Sequence, residues 1–545
     1  MSELHHECGV AAIYHLPSSK ISPLCPNSKI KDASRLIPRM LLDMQNRGQL
    51  SAGISRFHPK AKNNQLIDTY RENGTVQEVF RLSHSGKTKA LLRKYSGPAA
   101  IGHVRYATCG TNDKSYAQPF ENHSFDRRKW FSFAFNGQLA NYKELAEEML
   151  AEGNNFMVRQ TDTEILLHEI SRQLESDPTQ SLIEMMRQVD KRLDGAYSLA
   201  LLNANGDMMI ARDPLGIKPM CYAIQGPLFA AASESVALMN LGFKRSEIES
   251  LAPGHAITIV DGQIEITQFS EHNGAAHCFF EWIYFANVAS TLDYKSVYMA
   301  RTALGEELAR MERRENLIPL DDDTIVVPVP DTSKAAADSM AFHLGIPSRE
   351  GLMRNRYSGR TFIEHSQQER AQKAKIKYTP LREVLEDKRV ILVEDSVVRS
   401  TTMKALLERL KEEGRAREIH VRVACPPIMA PCFYGIDMST IGQLFGPKFY
   451  SVENPLTHKI QDRMARELKC DSLRYLPIES VASAIGLPSD SLCQACITGK
   501  YPTAIGQRLY QIEKTAFAEG KDRLEDERAF DLKTVSKKRR TTRIS

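Results

Sequence analysis

The sequence contains no run of about 20 consecutive apolar residues, the length that a membrane-spanning helix needs. Its opening segment, MSELHHE, lacks the basic region and the apolar stretch of a secretory signal peptide. A large excess of one charge is also missing, because 72 basic and 67 acidic side chains leave a net charge of +5. These absences predict a cytoplasmic protein that binds neither a membrane nor nucleic acid, with any anion site confined to a local region.

The composition is that of a globular protein with more than one core. The chain has 545 residues, of which 42% are hydrophobic and 26% charged, and this length supports two or more domains. Ten cysteines without a secretory leader fit a reducing compartment. In such a compartment thiols serve as catalysts or metal ligands more often than as disulfides.

The two halves of the chain carry different secondary-structure patterns. AYSLALLNANGDMMIARDPLG and HAITIVDGQIEITQF each place Asn-Gly-Asp or Asp-Gly between two apolar runs, which predicts β-hairpins. From about Asp321, apolar strands alternate with helical patterns, as in KRVILVEDSVVRSTTMKALLERLKEEG. We therefore predict an α+β amino-terminal half with antiparallel sheets and an α/β carboxyl-terminal half with a parallel sheet, joined near residues 270 to 290.

The segment VILVEDSVVRSTT, residues 390–402, carries the clearest chemical signal. A short apolar strand ends in two acids, and a Ser/Thr-rich turn then opens a helix. The first N–H groups of such a helix would bind a phosphate, and the acids would face ribose hydroxyls and a magnesium ion. The alternative is a strand followed by an ordinary capped helix, with Thr401 or Thr402 as the N-cap residue.

A basic segment, RNRYSGRTFIEHSQQERAQKAKIK, precedes this motif at residues 354–377. It has little apolar periodicity, so it is either an exposed loop or a lid. As a lid, its Arg356 and Arg360 would reach a diphosphate only on closure, which would exclude water from the site.

The amino-terminal half contains a cysteine in ECGV and a series of glycine-containing motifs. Taken alone, Cys8 is typical of a small buried residue at the start of a strand. The motifs that follow it are predicted to be polar turns between apolar strands: QNRGQLSAG at 45–53, IGHVRYATCG at 101–110, FNGQLAN at 135–141, TDTE at 161–164 and RDPLGIKP at 212–219.

Together with ECGV, these motifs resemble class II glutamine amidotransferase domains, and VEDSVVRSTT resembles the signature for 5-phosphoribosyl diphosphate (PRPP) in type I phosphoribosyltransferases. Their presence in one chain resembles the amidophosphoribosyltransferase family over roughly residues 8–510. NRYSGRTFI, PCFYGID and CQACITGKYP are similar to the iron-sulfur group of that family. The resemblance implies a homo-oligomeric enzyme of the first step of purine synthesis, with glutamine and PRPP as substrates and purine nucleotides as feedback ligands.

The resemblance also implies a division into segments. These are a propeptide at 1–7, a class II glutamine amidotransferase domain of the N-terminal nucleophile fold at 8–275, a phosphoribosyltransferase domain at 276–500, and a helical, charged tail at 501–545 that we expect to be mobile.

For the glutamine site, the resemblance implies that Cys8 is the nucleophile. Its free α-amine, exposed by removal of residues 1–7, would move the proton, because an α-amine with a pKa near 8 is suited to that work. Arg105 and Asp162 would bind the α-carboxylate and α-amino group of glutamine. Asn136 and Gly137 would form the oxyanion hole.

For the second site, the resemblance implies two sets of ligands. Mg²⁺ would lie at Thr332, Glu394 and Asp395. The PRPP-binding residues would be Arg356, Arg360, Glu394, Asp395, Ser396, Arg399, Ser400, Thr401 and Thr402.

Cysteines supply a further predicted site. Cys493 and Cys496 form a C-x-x-C pair, which alone is equally compatible with a redox pair or half of a metal site. The resemblance adds Cys278 and Cys432 as the other ligands of a 4Fe-4S cluster with a structural role. Zinc is the chemical alternative for four thiolates.

Several positions depart from the family pattern. Asn46 replaces the usual His before Arg-Gly-Gln, Phe135 replaces a frequent His, Asn287-Val288-Ala289 interrupts a usual Arg-Pro-Asp, and Glu394 and Ser400 stand where Asp and Gly are preferred. None removes a reacting group. The alternative function is a non-catalytic regulator that senses PRPP or nucleotides.

Overall fold

The computed structural model describes residues 8–25, 31–60, 65–106, 113–152, 157, 161–271, 274–354, 378–436, 438 and 440–520. In the amino-terminal half the strands span Gly9–His15, Ser51–Phe57, Ile67–Asn73, Ala99–Arg105, Phe120–Asn122, Phe131–Leu139, Gly195–Asn203, Met208–Arg212, Cys221–Gln225, Leu228–Ala232, Ile248–Ser250, His255–Val260 and Gln263–Gln268. The α-helices of this half span Ile37–Asp43, Val76–Val79, Ser85–Lys94, Tyr142–Ala151, Asp162–Ser176, Leu182–Asp190 and Ser235–Leu241.

In the carboxyl-terminal half the strands span His277–Cys278, Thr291–Leu292, Lys295–Ser296, Thr324–Pro328, Leu352–Arg354, Tyr378–Pro380, Arg389–Glu394, Glu418–Val423, Ser472–Tyr475 and Leu492–Cys493. The α-helices span Val297–Glu315, Lys334–Leu344, Arg382–Leu385, Ser400–Glu412, His458–Leu468, Ile478–Ile485, Ala495–Thr498 and Ala504–Ala518, and a π-helical turn spans Glu281–Phe285. Short 3₁₀ turns lie at Ala33–Leu36, Lys114–Tyr116, Arg245–Glu247, Ile441–Gln443, Gly446–Lys448 and Ser489–Ser491.

Two antiparallel sheets build the amino-terminal half. The strand Gly9–His15 lies inside a seven-stranded sheet, and Phe131–Leu139 lies in a six-stranded one. Alternate side chains of both sheets, such as Val10 and Ala200, share one core, so the sheets pack face to face. Helices cover the outer face of each sheet through separate cores. The predicted α+β class with antiparallel sheets is confirmed, and both predicted hairpins are present.

A four-stranded parallel sheet builds the carboxyl-terminal half, in the order Thr324–Pro328, Arg389–Glu394, Glu418–Val423, Ser472–Tyr475. Its second strand is buried on both faces, which explains its uninterrupted apolar run. Ser348 bridges to Val326 in parallel, on the opposite side from Arg389–Glu394. The chain therefore adds its next segment on one side of the strand Thr324–Pro328 and the strand Arg389–Glu394 on the other side. At such a switch point a crevice opens beyond the carboxyl ends of these two strands. The predicted α/β class is confirmed.

Three predictions of local structure were wrong. The residues IGHVR and FNGQL lie within the strands Ala99–Arg105 and Phe131–Leu139, where turns were expected. Gly137 is not a turn glycine: a β-carbon there would lie 1.9 Å from the carbonyl oxygen of Ala196 on the neighbouring strand. Its small size therefore permits a close approach of two backbones. TDTE opens the helix Asp162–Ser176, with Thr161 as its N-cap.

The chain past Tyr501 also departs from the expected mobile tail. The helix Ala504–Ala518 packs on the body of the protein, and its N-cap residue Thr503 donates a hydrogen bond of 2.6 Å to Asp194 in the amino-terminal half. Residues 521–545 lie outside the described residues. Among the described helices, none is long and apolar enough to cross a membrane.

Candidate active sites

The residues predicted for glutamine line one cavity. Cys8, Arg105, Gly137 and Asp162 all border the same cavity. Cys8 immediately precedes the strand Gly9–His15, and Arg105 ends the neighbouring strand Ala99–Arg105. Antiparallel pairing of Gly9 with Val104 therefore brings these two side chains to the same end of the sheet.

Asp162 is held at the start of its helix by backbone donors. Its carboxylate accepts hydrogen bonds from the N–H groups of Thr163, at 2.8 Å, and Leu139, at 3.3 Å. Leu139 ends the strand that carries Asn136 and Gly137, so this carboxylate joins the helix Asp162–Ser176 to the strand predicted to carry the oxyanion hole. Burial raises the pKa of Asp162 to about 6.

The surroundings of the Cys8 thiol shift its pKa. Burial raises its pKa, while the hydrogen bond to the carbonyl oxygen of Tyr106 and the charges of Arg105 and Lys218 act in the opposite direction. The S–H group lies 3.5 Å from that carbonyl oxygen. Because the thiolate is the nucleophilic form, this cysteine needs a nearby base to react.

Asn136 has a buried N–H donor in its side-chain amide that no atom of the described residues accepts. Its side chain is 1% exposed, and its Nδ2 has no hydrogen-bond partner among the described residues. An unpaired buried donor is costly, and such a group is suited to bind an oxygen that appears only when ligand is present. Gly137, the next residue along the strand, lines the glutamine cavity.

The acids of VEDS lie in the crevice of the parallel sheet. Glu394 and Asp395 are 0% and 2% exposed. Thr332, which follows the first strand of the sheet, donates a hydrogen bond to Asp395, so the three residues predicted for Mg²⁺ lie together. Burial and the charge of Glu394 raise the pKa of Asp395. Two adjacent buried carboxyls of this kind favour a cation between or beside them.

A helix N-terminus faces the same crevice. The helix Ser400–Glu412 begins directly after VEDSVVR, and Arg399 at its N-cap position makes no side-chain capping bond. The alternative in which Thr401 or Thr402 caps this helix was therefore wrong. The absence of a capping bond from the N-cap side chain is compatible with a phosphate site at this helix end. Ser396 donates to Asp395 at 2.6 Å, whereas Arg356 and Arg360 lie outside the described residues.

The four predicted cluster cysteines border a second cavity. Cys278 and Cys493 are register partners on two short parallel strands, and the N–H of Met429 donates to the carbonyl oxygen of Cys496 at 2.8 Å. Cys432 joins them from the segment PCFYGID. Among the described residues, no group of His, Cys, Asp or Glu side chains converges closely enough to hold a single metal ion. The thiols thus surround a space instead of meeting at a point.

Comparison with known proteins identifies both halves. A model of the glutamine amidotransferase domain matches residues 66–257, and a model of the phosphoribosyl transferase domain matches residues 299–427. The amidophosphoribosyltransferase of Methanothermobacter thermautotrophicus is 37% identical over 512 residues, which are 94% of this chain and 98% of the relative. This chain belongs to the amidophosphoribosyltransferase family. The amidophosphoribosyltransferase of Bacillus subtilis is 33% identical, with 92% of this chain and 96% of the relative covered.

Solved structures of this family share the fold. The B. subtilis glutamine PRPP amidotransferase in complex with ADP and GMP matches with a TM-score of 0.74 and 32% identity, over 91% of this chain and 98% of that one. An allosteric regulatory enzyme of purine biosynthesis matches with a TM-score of 0.76 and 33% identity, over 93% and 99%. The chain is therefore an enzyme that combines a glutamine amidotransferase and a phosphoribosyltransferase domain.

Two residues of these sites have no role in the sequence analysis. Lys218 of RDPLGIKP is 1% exposed and lines the cysteine cavity, and its charge also lowers the pKa of Cys8. Arg47 of QNRGQLSAG donates its Nε–H to the carbonyl oxygen of Cys8 at 3.0 Å. Lys218 and Arg47 both lie in motifs of the family, and these motifs could have identified them as candidate site residues. Only the fold shows which residues they contact.

Proposed function

We propose that this chain transfers the amide nitrogen of glutamine to PRPP, giving 5-phosphoribosylamine, glutamate and diphosphate, the first step of purine synthesis. The observation that carries the proposal is the presence, in one chain of the family, of a pocket lined by Cys8, Arg105, Gly137 and Asp162 and of a buried acid pair before a helix whose N-cap side chain makes no capping bond.

In the glutamine pocket, the Cys8 thiolate attacks the side-chain amide carbon and forms a γ-glutamyl thioester with release of ammonia. Water then hydrolyses the thioester to glutamate and restores the thiol. Arg105 binds the α-carboxylate of glutamine and Asp162 its α-ammonium group. The oxygen that becomes negative in the tetrahedral intermediate accepts hydrogen bonds from Asn136 Nδ2 and the N–H of Gly137, and the unpaired Nδ2 supports this role.

The base for Cys8 is its own α-amine. Burial raises the pKa of the thiol, so deprotonation requires a base within reach, and an α-amine has a pKa near 8. An internal peptide nitrogen has no such basicity, so activity requires removal of residues 1–7. Those residues lie outside the described residues.

In the crevice of the parallel sheet, Ser396, Arg399, Ser400, Thr401 and Thr402 bind the 5-phosphate of PRPP at the helix N-terminus. Glu394 and Asp395 bind the ribose hydroxyls and, with Thr332, hold Mg²⁺, which would neutralise charge on the leaving diphosphate. Arg356 and Arg360 bind the diphosphate. Ammonia released at Cys8 then displaces diphosphate from the ribose.

The cavity between Cys278, Cys432, Cys493 and Cys496 fits a 4Fe-4S cluster better than zinc. A zinc ion lies about 2.3 Å from each of its sulfurs, which would need the thiols to converge. The described side chains do not converge on one point, and they line one cavity from different sides. Thiolates spread around a cavity suit a group of several metal atoms. A cluster bound there would be structural, since neither half-reaction needs an electron.

The proposal extends to ligands and assembly. A structural neighbour was solved with ADP and GMP, and we propose purine nucleotides as feedback ligands of this chain. We also propose that the protein is cytoplasmic, because all cysteines among the described residues are free of disulfides, as in a reducing compartment, and that it is a homo-oligomer, as its resemblance to the family implies.

Glutamine-dependent release of diphosphate from PRPP by the purified protein tests the function. Mass spectrometry of the same preparation should show a chain that starts at Cys8. If diphosphate release is missing with both glutamine and ammonia in a protein that starts at Cys8, the catalytic function is wrong and a regulatory role replaces it.

A further inference from the structure

The strand that carries the predicted oxyanion hole loses one of its neighbours halfway along its length. This strand, Phe131–Leu139, is called the oxyanion strand below, and it pairs with the edge strand Phe120–Asn122, whose first residue lies opposite Phe133. The residue before that edge strand is Pro119, which has no N–H to donate to a ladder. Among the described residues, no strand continues this pairing, so Phe135 faces an open edge.

Two side chains bind the backbone of Phe135 at this open edge. Its N–H donates to Oε1 of Gln118 at 2.7 Å, and its carbonyl oxygen accepts from Nε2 of His103 at 3.0 Å. The register would place Gln118 opposite Phe135 if the ladder continued, so a side chain replaces the missing backbone partner. Gln118 and His103 are 5% and 0% exposed, and water does not compete for either bond. These two residues are called the backbone clamp below.

His103 is a neutral donor in this clamp. A carbonyl oxygen can only accept, so the ring carries its proton on Nε2 in the contact with Phe135. Its Nδ1 has no hydrogen-bond partner among the described residues. Burial lowers the pKa of His103 to about 3, so the ring stays uncharged at neutral pH. The side chain therefore holds a backbone group and does not carry a proton in the reaction.

The clamp lies beside the predicted oxyanion donor. The backbone groups of every second residue in a strand point to the same side, so Phe135, Gly137 and Leu139 turn theirs toward the open edge. The N–H of Leu139 donates to Asp162 at 3.3 Å. Side chains thus hold the strand on both sides of Gly137, which lines the glutamine cavity between them.

Gln118 also contacts the helix that begins with Asp162. Its Nε2 donates to the hydroxyl of Thr163 at 3.4 Å, and the N–H of Thr163 donates to Asp162 at 2.8 Å. Gln118, Thr163 and Asp162 all line the glutamine cavity. One side-chain amide therefore connects the strand at the reacting end of the proposed substrate site to the helix at its α-ammonium end.

We propose that Gln118 and His103 are positioning residues of glutamine hydrolysis, which fix the backbone of the oxyanion strand so that the N–H of Gly137 meets the developing negative charge. The inference rests on the proposed function and adds two residues to its glutamine site. Because the clamp acts on the backbone of Phe135, it does not depend on the side chain at that position. A misplacement of about 1 Å can lower a rate about 100-fold, so the clamp acts mainly on the transition state.

Gln118→Met and His103→Leu test the clamp in the mature protein. In each variant kcat for glutamine hydrolysis should fall by about tenfold or more, whereas KM should change by less than about threefold, because an oxyanion exists only during the reaction. Alkylation of Cys8 by iodoacetamide is measured in parallel by mass spectrometry of the Cys8 peptide. This displacement occurs at a CH₂ group and forms no oxyanion, so its rate should stay within about twofold of the wild-type rate.

Three further variants control for the chemistry of the substitutions. His103→Gln keeps an N–H at about the position of Nε2 and should retain most of the wild-type kcat. His15→Leu removes another buried histidine, which bonds two backbone groups at the far end of the strand that follows Cys8. Gln461→Met removes another buried glutamine, whose Oε1 accepts from the N–H of Tyr475. These last two variants should hydrolyse glutamine at the wild-type rate.

The outcomes separate the clamp from the proposed function. If Gln118→Met keeps the wild-type kcat, or if alkylation of Cys8 falls as much as kcat, the clamp is overturned while the function stands. Equal losses in His103→Gln and His103→Leu, or a loss in the two distant controls, also overturn it. Should His103→Leu fail to fold, Gln118→Met decides, because Gln118 borders a cavity. Absence of glutamine hydrolysis in a wild type that starts at Cys8 overturns the proposed function, and the clamp with it.

Discussion

Cys278 and Cys493 lie opposite each other in register on two parallel strands, His277–Cys278 and Leu492–Cys493. The first strand opens the carboxyl-terminal half and the second lies near its end. Their pairing therefore joins the beginning of that half to its end. Each strand has only two residues, which is too short to be stable alone. Cys278 and Cys493 both belong to one buried core, and its packing contributes to holding this pairing.

The cysteine cavity gives the first prediction. Cys493→Ser should yield protein without the brown colour of an iron-sulfur cluster, because a hard oxygen replaces a soft thiolate. Its free energy of unfolding should fall by about 3 kcal/mol or more, as expected when a cross-link over a long loop is lost. Iron, acid-labile sulfide and chemical denaturation are measured on anaerobically purified protein.

Cys470→Ser is the matched control for this change. Cys470 is partly buried, lies outside the cavity, and makes only long contacts with the carbonyl oxygens of Ala465 and Ser472. This variant should keep its iron and its colour. Stoichiometric zinc in the wild type, or a brown Cys493→Ser protein, would contradict the cluster assignment.

The separation of the two sites gives the second prediction. Cys8→Ser should abolish glutamine-dependent synthesis, because the hydroxyl is a much poorer nucleophile than the thiolate. Synthesis from free ammonia should persist, since Glu394 and Asp395 in the crevice of the parallel sheet are unchanged. Both rates are measured as release of diphosphate. Loss of both in a folded protein would contradict separable sites.

The third prediction concerns pH. Asp162 must be ionised to bind the α-ammonium group of glutamine, and burial raises its pKa to about 6. The charged form is therefore lost as the pH falls through 6, and this adds a further loss of about tenfold per pH unit in kcat/KM for glutamine hydrolysis to the loss caused by protonation of the α-amine below about pH 8. In Asp162→Asn kcat/KM should be low throughout, and the steeper fall below pH 6 should be missing. A wild-type profile whose slope does not steepen below about pH 6 would remove Asp162 from substrate binding.

Much of the fold follows from local sequence patterns. The alternation around Asn-Gly-Asp and Asp-Gly predicted both hairpins, and the alternating strands and helices predicted the parallel sheet, because these signals act over a few residues. The same local rules failed at FNGQL. Glycine usually marks a turn, but Gly137 lies in a strand because the backbone of Ala196 approaches it closely.

The candidate sites were only partly predictable, for a related reason. Cys8, Arg105 and Asp162 could be placed by motif, and the fold brings them to one cavity. The contact between Arg47 and Glu234 joins positions 187 residues apart, and no pattern along the chain records it. Lys218 likewise lies beside the cysteine cavity only in the folded protein, where distant segments of the chain come together.

The acid pair gives the fourth prediction. Asp395→Asn should weaken binding of magnesium PRPP and reduce synthesis with both glutamine and ammonia, because it removes a charge at the cation site. Burial and Glu394 raise the pKa of Asp395, so two crowded carboxyls strain the free protein. The melting temperature without ligand should thus be unchanged or higher in the variant. Calorimetric titration with magnesium PRPP measures the affinity, and an unchanged affinity would contradict the assignment.

The last prediction concerns Gly435, which connects the cysteine segment PCFYGID to the glutamine site. Its φ is +101°, and a β-carbon there would lie 3.0 Å from Lys218 Nζ and 3.2 Å from the carbonyl carbon of Gly137. Its N–H donates to the side-chain oxygen of Gln138 at 3.1 Å. Gly435→Ala should therefore displace the oxyanion strand and lower glutamine-dependent synthesis by about tenfold, less than full loss of an oxyanion donor.

Ammonia-dependent synthesis by Gly435→Ala should change much less, because the PRPP crevice does not include this strand. Gly345→Ala separates backbone strain from this specific contact: Gly345 also has a positive φ, +76°, but nothing lies within 4 Å of the added carbon. In both variants an alanine with a positive φ destabilises the backbone by about 1–2 kcal/mol. The ratio of glutamine- to ammonia-dependent rates should fall only in Gly435→Ala, and an equal fall in both variants would show that strain alone, and not contact with Gly137, explains the loss.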